Sequence, residues 1–289
     1  MTTTTAMTPR ELVGRVKNLP AVSHAALKLV SLLDQPAVSN EDVVEVLKYD
    51  NVLTAKLLRS CNSPYFGLEE SVSSVEQAVF ILGHQQILHV VLSLAFGGAM
   101  STPLPGYGTE AKELWSHSLQ TALAGEIVVR RGIPLDVEPA VAFTAGLLHD
   151  IGKLVFNHVL TPDVLASIRS RITEGGLART EAEKEIIGTD HAEVGACLLE
   201  QWRLPETIIE AVAHHHAPVA APKPRLSVVV HTANCLAHFV GSTPGWEGFA
   251  FRVDAAALSA LNITPENLQD MMIPVHESAK KVEQFMSFS

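Results

Sequence analysis

The sequence has little cysteine and few aromatic residues. Its three cysteines, Cys61, Cys197 and Cys235, are too few and too widely spaced for a disulfide framework or a zinc finger. They are typical of a reducing compartment, and we expect a cytoplasmic protein in which they are small buried thiols. Aromatic residues make up 6% of a chain that is 47% hydrophobic, so aliphatic side chains have to build the core.

Positive charge and long apolar runs are scarce as well. The chain has 21 Lys and Arg against 31 Asp and Glu, a formal net charge of −10. Nucleic-acid binding needs clustered basic side chains, so this composition argues against a nucleic-acid partner. The longest apolar run, residues 87–100, has about 14 residues, whereas a membrane span needs about 20. The N-terminus also lacks a signal-peptide pattern. We therefore expect no membrane span.

Helical periodicity extends over almost the whole chain, and alternating strand-like segments are absent. Segments 52–61, 75–82 and 86–97 show it clearly, and Ser39 with Asp42 forms a capping-box pattern that predicts a helix start. The sequence predicts an all-α fold. A length of 289 residues suits about two domains. We place them at 10–100 and 110–289, separated by a Pro- and Gly-rich linker at 101–109.

The adjacent pair His149 and Asp150 follows an apolar helix predicted over 140–148, and we expect Gly152 to end that helix. A neutral imidazole next to a carboxylate suits a divalent transition metal. Lys153 adds a cation that could meet a phosphate oxygen. This short motif therefore predicts a metal site with room for an anionic ligand.

Other histidines occur in patterns that could complete such a site. Glu113 and His117 are four residues apart on one helical face, a spacing that also suits an exposed ion pair. His191 lies at a predicted helix start, capped by Asp190 or Thr189. Histidines 214–216 end another helix, where two of the three could turn inward or all three could form a surface tract. His231, Asn234 and His238 share a further helical face. We assign the remaining histidines to packing or to the surface: His24, His84, His89, His158 and His276.

These residues follow the order of the HD superfamily of metal-dependent phosphohydrolases, and the chain more closely resembles its HDOD branch. The N-terminal half carries the segments that mark this branch: LPAVSHAALKLVSLL (19–33), YDNVLTAKLLRSCNSPYFG (49–67) and SSVEQAVFILG (73–83). Asn51 stands where the branch usually has Pro. The resemblance covers residues 15–240. It implies an N-terminal HDOD-specific helical bundle followed by an HD-like helical domain.

The resemblance also implies a site for one or two divalent transition ions, with iron, manganese, zinc or nickel as candidates. The implied ligands are His117, His149, Asp150, His191, His215 and His216, with Glu113 as an additional acidic ligand and Asn234 in the last ligand position. That last ligand is normally Asp, and a neutral amide removes one negative charge from the site. Asp150 and Lys153 would carry any catalysis, and His231 and His238 could orient the ligands.

The sequence leaves two functions open. The resemblance implies a bacterial signal-transduction protein, and Asn234 favours a non-catalytic module that binds a signalling protein or a small phosphorylated ligand. The alternative is a metal-dependent phosphohydrolase acting on a nucleotide or another phosphoester. The Gly-Tyr-Pro motif of cyclic di-GMP phosphodiesterases is absent, so that activity is not supported. A third reading takes the histidines as ordinary core and helix-end residues. The oligomeric state is left open.

Overall fold

The computed structural model of this chain describes residues 7–16, 22–33, 38–110, 112–131, 136–245, 252–260 and 262–288. It is 72% helical, and the described residues contain no β-strand, which confirms the predicted all-α fold. Leu19 and Pro20, which open the first HDOD-like segment, lie outside the described residues. The α-helices are α1 (Pro9–Arg15), α2 (His24–Leu32), α3 (Asn40–Leu47), α4 (Asn51–Cys61), α5 (Val75–Met100), α6 (Glu113–Arg131), α7 (Pro139–Leu148), α8 (Gly152–Val159), α9 (Pro162–Thr173), α10 (Arg179–Ile187), α11 (His191–Gln201), α12 (Glu206–Ala213), α13 (Pro224–Phe239), α14 (Ala255–Ala260) and α15 (Pro265–Phe288).

Helices α2 to α5 pack together in the N-terminal half. The predicted capping box is present, because Ser39 and Asp42 bond each other's backbone N–H groups at the start of α3. Asn62 ends α4 and fixes the following loop. Its amide donates to the carbonyls of Leu58 and Val72, and its Oδ1 accepts the Val72 N–H at 2.7 Å. One side chain therefore sets how α5 follows α4.

The predicted linker and the first helix both lie against the C-terminal half. Residues 101–109 close on themselves through backbone hydrogen bonds between Leu104 and Thr109, and the enclosed Tyr107 is buried. This turn packs on α8 and α9. Helix α1, which we predicted as part of the N-terminal domain, packs on α8 and α11 instead. The Met7 N–H next to it donates to the Ile187 carbonyl at 3.0 Å.

Two helical stretches are long and apolar enough to cross a membrane by length and composition alone: Val75–Met100 and Pro139–Val159. The first stretch has 26 residues, whereas the apolar run in the sequence has about 14. The difference arises because residues 75–86 belong to the same helical stretch. Their most apolar windows are 50% and 83% buried inside the protein, as expected of core helices. Gly83 has φ 78° and ψ 155°, so the first stretch is two helices that meet at a kink.

The C-terminal half is centred on α6, which packs against α7, α13 and α15. Helix α11 packs on α12 and α8. Our prediction that Gly152 ends α7 is wrong: α7 ends at Leu148, and Gly152 begins α8. A Cβ at Gly152 would overlap the backbone carbonyl oxygen of His191, so the glycine allows α8 to approach the start of α11. This close approach brings the turn after α7 next to His191.

Candidate metal centre

Four separate elements deliver histidines to one buried place. His149 and Asp150 form the turn between α7 and α8, and His117 lies on α6. His191 is the first residue of α11, where the Asp190 side chain accepts the Glu193 N–H at 2.8 Å and caps the helix. His215 and His216 follow the last turn of α12. Two of the three consecutive histidines therefore turn inward, as predicted, while His214 bonds the Glu210 carbonyl.

Asp150 is the centre of this cluster. Its Oδ2 lies 3.2 Å from His149 Nε2 and 3.7 Å from His117 Nε2. Its Oδ1 lies 3.3 Å from His191 Nε2 and 3.8 Å from His215 Nε2. The ligand atoms fall into two groups, each within 4.8 Å: Asp150 with His117 and His149, and Asp150 with His191, His215 and His216. All six histidine and aspartate ligands predicted from the resemblance therefore meet, and Asp150 belongs to both groups.

The hydrogen bonds of the imidazoles set where their lone pairs point. The Nδ1 atoms of His117, His149 and His215 lie 2.7 to 2.8 Å from backbone carbonyl oxygens. A carbonyl only accepts, so each Nδ1 carries an N–H, and in the neutral tautomer each Nε2 presents a lone pair. Burial lowers the pKa of His215 well below its usual range, and the neighbouring His149 and His191 lower it further, which keeps this ring neutral.

The Nε2 atoms of these rings face the Asp150 carboxylate. The Nε2 atoms of His149 and His215 are buried and make no hydrogen bond. Acceptor atoms that converge on one point in a low-dielectric interior repel one another unless a cation lies between them. Histidine and carboxylate are the ligands that divalent transition metals prefer, so the residues present fit a metal ion.

A carboxylate that the sequence did not single out orients His191. Glu183 on α10 is fully buried, and its Oε2 accepts the backbone N–H of His191 at 2.9 Å and the Nδ1–H at 2.6 Å. Burial lowers the pKa of His191, but the charge of Glu183 outweighs that effect and raises the pKa to about 9. A carboxylate behind a ligand histidine fixes its tautomer and increases its basicity. In the sequence, nothing distinguishes Glu183 from Glu181 or Glu185 on the same helix.

Lys153 supplies a positive charge next to the cluster. Its Nζ lies 2.6 Å from Asp150 Oδ2, and its side chain is almost completely buried. Burial acts to raise the pKa of Asp150, but the contacts with His149 and His191 and the charge of Lys153 prevail and hold it well below its usual range. The carboxylate is therefore ionised at neutral pH. The contact of Lys153 with a phosphate oxygen stays a prediction.

The structure does not bring Glu113 into the cluster, contrary to our prediction. The spacing from His117 does place the two residues on one face of α6, but Glu113 is the first residue of that helix and is exposed. Its Oε2 accepts the backbone N–H of Glu110 at 2.8 Å. The carboxylate therefore bonds the chain that enters α6, at the solvent end of the helix.

Asn234 lies on the face of α13 that adjoins the cluster. One turn before it, His231 Nδ1 donates to the His215 carbonyl at 2.8 Å. One turn after it, the ring of His238 lies 4.8 Å from the ring of His117. Asn234 is buried, and its Oδ1 makes no hydrogen bond. His231 therefore contacts the backbone of His215, and His238 lies beside the ring of His117; their orienting role and Asn234 as a ligand stay predictions.

Comparison with curated proteins shows partial relatives. A protein of Treponema pallidum without an assigned function is 24% identical over 245 residues, which cover 84% of this chain and 47% of the relative. Ribonuclease Y of Thermus thermophilus is 26% identical over 196 residues, which cover 60% of this chain and 28% of the enzyme. The chain thus spans less than half the length of these relatives.

Solved structures share the fold over nearly the whole chain. An HDOD domain protein of unknown function from Geobacter sulfurreducens is 24% identical, with a TM-score of 0.73 and coverage of 95% of this chain and 96% of its own. A candidate signal transduction protein from Marinobacter aquaeolei is 20% identical, with a TM-score of 0.79 and coverage of 96% and 64%. The model of the HDOD domain family matches residues 19–218, and the chain therefore belongs to the HDOD family.

Proposed function

We propose that this chain is a regulatory HDOD protein of bacterial signal transduction that binds a divalent transition metal around Asp150 and does not hydrolyse phosphoesters. The observation that carries the proposal is the set of buried Nε2 lone pairs that converge on the Asp150 carboxylate. Divalent cations would satisfy these acceptors, with Asp150 available to both ligand groups. A relative named as a candidate signal transduction protein supports the regulatory role.

The burial of the cluster supports metal binding without catalytic turnover of a phosphoester. His117, His149, His191 and His215 have no exposed surface, and only His216 is partly exposed. A catalytic metal keeps an open coordination position for water or substrate. Lys153 already contacts one oxygen of Asp150, and Asn234 offers no charge where the family normally has a carboxylate. The limited access to the cluster and the missing negative charge at Asn234 therefore both favour metal binding without hydrolysis.

The N-terminal half has features that suit a protein partner. Phe80 is 86% exposed, Tyr49 77% and Val52 68%. These large apolar side chains belong to helices α4 and α5 and to the turn before α4, which pack together in one half of the molecule. Exposed apolar groups mark an interaction surface where they form a contiguous patch. They support a signalling protein as the partner. A small phosphorylated ligand is the alternative.

Phosphoester hydrolysis is the second candidate, favoured by His216 at the exposed edge of the cluster and by Lys153 beside Asp150. Bound divalent ions would supply Lewis-acid activation of a water and of a phosphoryl oxygen. Lys153 would neutralise charge next to Asp150, Glu183 would hold His191 in one tautomer, and His216 would contact a substrate that enters from the surface.

The test is a metal-dependent activity assay on protein with measured metal content. The chain is stripped with chelator, reloaded separately with manganese, iron, zinc or nickel, and assayed with bis-p-nitrophenyl phosphate and with nucleoside monophosphates. We expect loading without turnover above that of His149→Ala. His214→Ala is the matched control, since this neighbouring histidine bonds only the Glu210 carbonyl among the described contacts. Turnover that increases with metal content and disappears in His149→Ala would establish the second candidate instead.

A further inference from the structure

A second polar site lies between the two halves of the molecule, away from the metal centre. It is a cavity of about 360 Å³, within the range of about 300–1,000 Å³ that is usual for small-molecule sites. Helix α5 contributes His89 and Ser93, α6 contributes Glu126 and Arg130, and α7 contributes Phe143. A ligand in this cavity would contact both the N-terminal bundle and the HD-like half.

Two residues that line this cavity each have a buried polar atom without a hydrogen bond. His89 is 8% exposed, and its Nε2 makes no hydrogen bond. The Oε1 atom of Glu126 is also buried and makes none. The two atoms are 3.5 Å apart, and Arg130 Nη2 is 3.6 Å from the same oxygen, beyond hydrogen-bond distance. Buried polar atoms left unsatisfied in this way destabilise the protein, and a ligand that bonds them removes that cost.

The surroundings keep the imidazole neutral and fixed. Its ring stacks on Phe143 with a centroid distance of 4.0 Å and an angle of 14° between the planes. Burial lowers the pKa of His89 to about 4, and Arg130 lowers it further. Burial also raises the pKa of Glu126, although Arg130 opposes this effect. In the neutral tautomer that carries its proton on Nδ1, Nε2 is an acceptor.

We infer that this cavity binds a small planar molecule with two neighbouring N–H donors on one N–C–N unit, which donate to Glu126 Oε1 and His89 Nε2. Two acceptors 3.5 Å apart match such a donor pair; neither makes a hydrogen bond, and the Glu126 oxygen is ion-paired with Arg130 at 3.6 Å. Amidines and 2-amino heterocycles such as guanine share this chemistry. The rest of the molecule would lie against the apolar walls formed by Leu119, Leu123 and Ile127. Arg130, whose side chain is 57% exposed, also lines the cavity.

Binding of guanosine, inosine and benzamidine to the full chain, measured by calorimetry and by the shift in Tm, tests this inference. Guanosine and inosine differ by the 2-amino group, so inosine should bind at least about tenfold more weakly. Binding of benzamidine but not guanosine would support a ligand with two N–H donors on one N–C–N unit and would identify that ligand as an amidine. No binding of either guanosine or benzamidine at millimolar concentration would overturn the inference, as would equal binding of guanosine and inosine.

Glu126→Gln and His89→Phe provide the matched variants. The first keeps the size of the side chain but puts an amide in place of the carboxylate, and the second keeps the stacking on Phe143 but removes the acceptor. Each should weaken binding of the ligand at least about tenfold. Glu185→Gln, an exposed residue paired with Arg171, should bind as the wild type does. Wild-type affinity in both Glu126→Gln and His89→Phe would overturn the site. Neither variant touches the cluster around Asp150, so the result is independent of metal binding.

Discussion

Replacing Glu183 with Gln tests the electrostatics behind His191. In the metal-free protein the charge of Glu183, together with the hydrogen bonds to Asp150 and Glu183, raises the pKa of His191 from 6.5 to about 9. At about 1.4 kcal/mol per pKa unit, this shift corresponds to about 3 kcal/mol of stability. The folded state binds the proton more tightly than the unfolded state. The contribution is therefore fully present below pH 6.5 and is lost as the pH rises through about 9.

The Glu183→Gln side chain keeps an oxygen for the His191 backbone N–H but removes the charge that contributes most to raising the pKa. We expect the free energy of unfolding of the wild type to fall by more than that of the variant between pH 6 and pH 10, with about 3 kcal/mol as the upper bound because the contact with Asp150 remains in the variant. Urea denaturation in the presence of chelator at steps of one pH unit measures this difference. Glu185→Gln on the same helix controls for loss of an exposed carboxylate. Parallel pH curves for wild type and Glu183→Gln would refute the reasoning.

Three further substitutions test separate parts of the structure. Gly152→Ala should lower the free energy of unfolding by about 3 kcal/mol, measured by urea denaturation, because its Cβ would overlap the His191 carbonyl. Asn234→Asp should increase metal affinity about tenfold in a chelator competition titration, because it adds a charge beside the ligands. Asn62→Ala should cost about 2 kcal/mol in thermal unfolding, because the buried Val72 N–H and C=O lose their partner. Unchanged values would contradict the respective assignment.

The sequence predicted much of the fold because its signals are local. The capping box at Ser39 and Asp42 and the cap at Asp190 each depend on residues three positions apart, and the structure has both. The packing of α1 on α8 and α11 depends on contacts distant in the sequence, and no local pattern indicates it. Gly152 shows the same limit. A glycine after a helix usually marks its end, whereas here the closeness of another helix requires it.

The same distinction between local patterns and contacts distant in the sequence applies to the candidate site. His117, His149, Asp150 and His191 could be placed because the resemblance fixes their order along the chain, and the structure brings them together. Glu113 has the right spacing from His117, but spacing alone does not show that the helix begins there and that the carboxylate bonds the preceding backbone.

Two polar residues show what a sequence pattern leaves out. Glu183 escaped prediction because it acts on His191 from another helix. His89 was assigned to packing or to the surface. Its position inside an apolar run gave no sign that its Nε2 faces a cavity shared with Glu126. In both cases the partner comes from a different helix, and only the tertiary structure brings the two together.

The central claim is that a divalent metal binds at Asp150. Crystals grown from manganese-loaded protein, measured with X-rays of a wavelength at which manganese scatters anomalously, test it most directly. We expect one or two anomalous peaks bonded to the Asp150 carboxylate and to the Nε2 atoms of the surrounding histidines, with no peak at this position in His149→Ala. A fully loaded protein without an anomalous peak next to Asp150 would contradict the claim.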